Sequence, residues 1–465
     1  MSSQIIKRCF IFGMLFLTAC SSLTQLRLDV ADKLFADKPL DAPAELTEIK
    51  ATNVVKLNWS SQLGETERYD FTPAMSAGFV FMVNANGDLI KKNVETGKEE
   101  WRASVGEPIS GGVGAGGGIV MVGSSRGNVF AYDFSGKQLW KSHLSSEVLS
   151  VPRYFDGKAI VRSGDDYIYG LDAADGSRKW VYSRKLPALS LRSSAGIVVD
   201  GGAVYAGFAG GKMVALNADS GKLLWEATVA VPKGVTEIER IADITSSPVV
   251  NGPVVYAVAY QGRIAAIDRR NGQVLWNREI SSYSGLSYGN DKLYVSHALG
   301  SLYALDHATG RTFWRQGDLL HRNLTTPLWM KNFVAVGDLE GYVHFIHLEN
   351  GQFAARIKVD SQPIMSLIAG NTPSQLIAAS RNGGLYALTI EESTTAAVDT
   401  SSPAQSQVKG ELADGAEVDA QSSETMSNQN EEASRSIMFQ NQKSILLPDN
   451  LEGGNGPGII LPKSE

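Results

Sequence analysis

One segment recurs along this chain and decides what it can fold into. It reads LIKKNVETGKEEW at 89–101, VFAYDFSGKQLW at 129–140, IYGLDAADGSRKW at 168–180, MVALNADSGKLLW at 213–225, IAAIDRRNGQVLW at 264–276, LYALDHATGRTFW at 302–314 and VHFIHLENGQFAA at 343–355. An eighth copy, LYALTIEES at 385–393, begins and stops. A copy carries an apolar strand, usually an Asp or Asn, then a glycine, then a second strand that runs to Trp. Gly97, Gly136, Gly176, Gly221, Gly272, Gly310 and Gly351 suit the positive φ of a tight hairpin. The preceding Asp or Asn can accept hydrogen bonds from the turn's amides. Two shorter strands precede each copy, often opened by a proline (Pro73, Pro108, Pro152, Pro248, Pro327, Pro363), where no ladder donor is lost.

Four strands in every repeat is the pattern of a propeller blade. The spacing predicts an all-β fold: an eight-bladed β-propeller of four-stranded antiparallel blades over 51–392. The eighth copy lacks its outer strand, whereas VVKLNWSS at 54–61 carries Trp59 with no turn before it. The N-terminal strand is therefore expected to complete the last blade and remove an open edge. Trp59, Trp101, Trp140, Trp180, Trp225, Trp276 and Trp314 are expected between neighbouring blades, with each indole N–H bonded nearby. A single ligand site would not need the same residue in every repeat.

The two ends differ from this body. MSSQIIKRCFIFGMLFLTAC has Lys7 and Arg8 ahead of an apolar run too short for a permanent span, so 1–19 reads as a signal peptide. LTAC at 17–20 resembles the bacterial lipobox, in which the cysteine becomes the lipid-modified N-terminus. Cys20 would then be capped and Cys9 removed. No disulfide or cysteine metal site could form. By the same resemblance, Ser21 implies sorting to the outer membrane. The polar stretch 20–50 reads as a flexible tether. From Glu391 onward there are 13 acids and 4 bases, a net of −9 against −6 for the chain, so the rest sums to +3. Residues 393–465 read as an acidic, low-complexity tail. It contains two related apolar pieces, SILLPD at 444–449 and GIILPK at 458–463. No basic stripe suggests a nucleic-acid groove.

Catalytic signatures are few. GVGAGG at 112–117 matches a dinucleotide-binding loop, but a strand-like GIVMVGSS follows it where a helix is required, so it reads as a blade turn. His344 and His347 lie three apart on an expected strand, on opposite faces, and make a poor metal pair. The turn-and-Trp repeat resembles that of quinoprotein dehydrogenases, eight-bladed enzymes that hold their quinone with adjacent cysteines and calcium-binding carboxylates. This chain has no cysteine pair in its body, so that resemblance speaks for the fold and against the enzyme. A cofactor is not expected. A quinone-dependent enzyme or a saccharide-binding propeller stands as the alternative.

The two longest Trp-to-Trp spacings are adjacent and end at Trp225 and Trp276. Spare residues in a repeat become loops on one face, often the binding face. They are RKLPALSLRSSAG at 184–196 and VPKGVTEIERIADITSSP at 231–248. The first offers Leu189, Leu191 and Arg192. The second offers Glu237, Glu239, Arg240 and Asp243. A leucine pair beside an arginine suits an interface core. Pairing of Arg192 with Asp243 would hold the two loops together.

LSLR at 189–192, TEIERIAD at 236–243, DLLHRNLTTP at 318–327 and VGDLEGYVHFI at 336–346 resemble the BamB family. Its members are lipoproteins of the outer-membrane β-barrel assembly machine of Gram-negative bacteria. The resemblance covers roughly 20–390. It implies a non-catalytic scaffold, lipid-anchored to the outer membrane and facing the periplasm. Such a scaffold binds the POTRA domains of the barrel-forming subunit BamA within the assembly machine. Nascent outer-membrane chains would be a further partner. The resemblance also places Leu189, Leu191, Arg192 and Asp243 at the partner contact. The family commonly has a second acid two residues after that aspartate. Thr245 stands there in this chain, with Glu239 the candidate substitute.

Overall fold

A computed structural model describes residues 42–392, except 65, 67, 68, 70, 186, 188 and 193. Cys20, the signal peptide, most of the 20–50 stretch and the 393–465 tail lie outside the described residues.

The strands form eight four-stranded antiparallel sheets. Blades 1 to 7 span 74–104, 114–143, 153–182, 197–228, 249–279, 285–316 and 328–358. Blade 8 takes three strands from 364–392, and Asn53–Gln62 supplies its outer strand by pairing with Gly384–Glu392. The ring is thus closed by the N-terminal strand, as the missing Trp position required. Five of the six prolines stand directly before a first strand. Pro108 lies further upstream of Gly114–Gly116, and its carbonyl accepts the amide of Ser125. The GVGAGG segment is the first strand of blade 2 and its turn.

The buried apolar residues form eight clusters, one at each blade junction; Ile160 and Ile168 of blade 3, for example, pack with Val204 and Val214 of blade 4. Second and third strands are therefore covered on both faces, as in Ile119–Gly123, whose five residues are all buried. Outer strands keep an exposed face and alternate instead, as in Leu223–Thr228.

The seven repeat Trp residues lock seven of the eight junctions. All seven indole N–H groups donate to a backbone carbonyl in the next blade's outer hairpin, at 2.8–3.1 Å. At the junction of blades 3 and 4, Asn217 accepts the amides of Asp219 and Ser220 and so shapes the turn. Gly221 has φ +67°, and a Cβ there would lie 2.4 Å from the ring of Trp180. The glycine serves the turn and the indole at once. Blade 7 has Ala355 where Trp recurs elsewhere. There Thr52, just before the N-terminal strand, donates its amide to Ala354 at 2.9 Å.

Residues 44–50, expected in a free tether, are instead laid along blades 6 and 7. Ala44 donates its amide to Leu320, and Leu46 packs onto the junction cluster.

Candidate docking surface

Strand direction decides which loops share a face. In each blade the strands alternate, so the connection from one blade's outer strand to the next blade's first strand lies at the same end as the hairpin between second and third strands. The 183–196 and 229–248 connections thus share a face with the hairpins at 163–167, 209–211 and 259–262.

The loops do come together, though not by the expected ion pair. Asp243 is buried, at 3% exposure. Its carboxylate accepts the amide of Leu191 at 2.7 Å and that of Gly210 at 2.8 Å. Its own carbonyl accepts the amide of Tyr260 at 2.8 Å. One aspartate therefore binds the 3-to-4 connection, the blade 4 hairpin and the blade 5 hairpin. Burial pushes its carboxyl pKa up, and the two amides oppose that shift. Asp243 is a positioning residue, because its burial keeps it from facing a partner.

Arg192 turns the other way and pairs with Glu147 at 2.5 Å, correcting the expected Arg192–Asp243 pair. Its guanidinium also lies 5.9 Å from the ring centroid of Tyr69. Arg192 keeps 40% of its side chain exposed, so the pair leaves it reachable. Leu189 and Leu191 are half-buried beside it. Below them lies a cavity of about 200 Å³, lined by Glu147, Arg162, Asp166, Leu191, Arg192 and Asp243 among others.

Arg162 closes the floor of this cavity. It is buried, pairs with Asp166, and donates to the carbonyls of Gly207 at 2.8 Å and Ala195 at 3.3 Å. Its guanidinium covers the ring of Phe208 at 4.7 Å. Every donor points into the fold, so this arginine stiffens the base of the 184–196 loop.

The second loop's charged residues play smaller parts. Glu239 accepts the amides of Val235 at 2.8 Å and Thr236 at 3.2 Å, while Thr236 Oγ1 accepts the amide of Glu239 at 3.2 Å. This reciprocal box folds the loop tip. Thr245 donates to the carbonyl of Tyr283 at 3.0 Å. Glu237 and Arg240 are exposed on the tip.

Glu147, Tyr69, Arg162 and Asp166 were missed in the sequence. Glu147 and Tyr69 sit on the connections into blades 3 and 1. The available signal was strand direction, which puts all such connections on one face. Among the described residues, no group of three or more His, Cys, Asp or Glu side chains is placed to hold a metal.

Comparison with known proteins is consistent across sequence and structure. Residues 85–316 match the family model described as outer membrane protein assembly factor BamB. The chain is 37% identical over 347 residues to the outer membrane protein assembly factor BamB of Burkholderia pseudomallei, covering 74% of this chain and 90% of that protein. The crystal structure of BamB from Moraxella catarrhalis superposes with a TM-score of 0.67 at 28% identity, covering 72% of this chain and all of that one. The quinohemoprotein alcohol dehydrogenase of Comamonas testosteroni superposes with a TM-score of 0.59 at 15% identity, covering 78% of this chain and 79% of that one, a likeness of fold alone.

Proposed function

The chain belongs to the BamB family of outer membrane protein assembly factors, and on that premise we propose that its 184–196 and 231–248 connections dock the POTRA region of BamA. The protein is a non-catalytic scaffold for the assembly of outer-membrane proteins. It is held to the inner leaflet of the outer membrane by a lipid on Cys20 and faces the periplasm.

The observation that carries the reading is the Asp243 carboxylate beneath Leu191. It fixes a loop that would otherwise be mobile and so lowers the ordering cost of binding. Leu189 and Leu191 then supply apolar contact, and Arg192 supplies a charge already aimed by Glu147. Arginine beside aliphatic anchors is a composition that interfaces favour.

A photo-cross-linking residue at position 189 tests the placement. It is expected to capture BamA in intact cells. Capture from position 224, on the exposed outer strand of blade 4, with none from 189, would put the contact on the rim instead.

A further inference from the structure

Residues 44–52 cross the outer side of blades 6 and 7. The amide of Ala44 donates to Leu320 at 2.9 Å, and the carbonyl of Ala44 accepts from Arg322 Nη1 at 2.8 Å. The carbonyl of Thr47 accepts from Arg356 Nη1 at 3.0 Å. Leu46 packs onto a cluster that includes Leu319, Leu324 and Val334. Thr52 bonds to the Ala354 carbonyl and, through Oγ1, to His347 at 2.9 Å.

The two arginines that hold this backbone are themselves fixed. Arg322 is 1% exposed, although it carries a full charge. Its Nε donates to Asp338 at 2.7 Å and its Nη2 to Glu340 at 2.5 Å. The fully buried His344 donates from Nε2 to the same Asp338 oxygen at 2.9 Å. Arg356 Nε donates to His344 Nδ1 at 3.0 Å. An arginine can only donate, so Nδ1 must accept, and the imidazole is the neutral Nε2–H form. Asp338 and Glu340 then balance Arg322 and Arg356. Such a network is costly unless every donor is satisfied. Nη1 of Arg322 and Nη1 of Arg356 donate to the carbonyls of Ala44 and Thr47.

We infer that blades 6 and 7 form a binding site for an extended peptide main chain, filled by residues 44–52, and that this site sets where the N-terminal segment leaves the propeller. Recognition runs through main-chain amides and carbonyls, the Thr52 hydroxyl and one leucine. Direction follows from topology. Thr52 and Asn53 lie at the end of the propeller opposite the docking loops, because Asn53–Gln62 runs from there toward them. Ala44 meets Leu320 and Arg322 on the connection into blade 7, which lies on the docking face. The segment therefore departs from the same face that presents Leu191 and Arg192. The contacts with the propeller thus begin at Ala44 rather than after Lys50.

Hydrogen exchange on the full-length, membrane-extracted protein tests the site. The amides of Ala44 and Thr52 are expected to exchange about a hundredfold more slowly than in an unstructured peptide. The double substitution A44P and L46D, which lies outside every blade, should remove the protection of the segment's other bonded amide, at Thr52, and leave the blade 7 strands unchanged. R322K should do the same from the propeller side. Free-peptide exchange at both Ala44 and Thr52 in the wild type would overturn the site. Nitroxide labels at positions 43 and 318 should give one short, narrow distance in the wild type and a broad distribution in A44P/L46D. A broad distribution in both would overturn the fixed exit. An unmodified Cys20 in the mass of the N-terminal peptide would remove the anchor reading while leaving the protection pattern intact.

Discussion

The carboxylate of Asp243 lies 2.7 Å from the amide of Leu191, so a buried acid on one connection holds the apolar tip of another. In the proposed partner surface, the aspartate that orders the loops is therefore itself buried. D243A would leave the amides of Leu191 and Gly210 without an acceptor in a buried setting, at a cost of about 1–3 kcal/mol. Partner affinity should fall although Leu191 and Arg192 are intact, and the Leu191 amide should lose its exchange protection. Unchanged affinity together with an unprotected amide would show that loop order is irrelevant to docking.

The blade junctions make a separate prediction. Gly157 and Gly221 both have positive φ, but a Cβ at Gly157 meets nothing within 4 Å, while at Gly221 it meets the ring of Trp180 at 2.4 Å. G157A is expected to cost about 1–2 kcal/mol from backbone strain alone. G221A should cost about 1–3 kcal/mol more, because the indole must shift and loosen its bond to Ala218. Urea titration of the two variants measures the difference. Equal midpoints would mean that the Trp lock carries no weight.

Stability should also fall in mild acid. Burial lowers the pKa of His297 to about 4, with Arg315 adding to the shift, and burial lowers that of His344 as well. In the unfolded chain both titrate near 6.5. Between pH 6.5 and 5 the unfolded state therefore binds protons that the native state refuses. Stability is complete above about 6.5 and declines as pH falls below it. The urea midpoint should drop between pH 7 and pH 5, and less steeply in H297N. A flat wild-type profile over that window would contradict the burial of these imidazoles. Carboxylates such as Asp268, held down to about 2 by Arg270, act only at lower pH.

The parts of this fold that repeat were legible in sequence, and the parts that do not repeat were not. Trp180, Asn217 and Gly221 are fixed by local spacing, so the blade count, the turn chemistry and the role of Trp59 in closure could all be read. The two loops of the proposed docking surface stood out as surplus length. Their internal wiring could not be read, because Arg192 meets Glu147 and Tyr69 on distant connections, and Asp243 spends its charge on backbone amides. His344 was weighed only as a metal ligand. Its place between Asp338 and Arg356 depends on a pairing register that no short motif encodes.

The most direct measurement is the affinity of purified L191A/R192A for the isolated POTRA region of BamA, taken beside its thermal midpoint. Truncating two anchors on an already ordered loop should weaken binding at least about a hundredfold. The midpoint should stay within a few degrees of wild type, because both side chains are partly exposed and the Asp243 contact is to backbone. Wild-type affinity in the double variant would contradict the docking surface. A large drop in the midpoint would instead assign these residues to holding the fold.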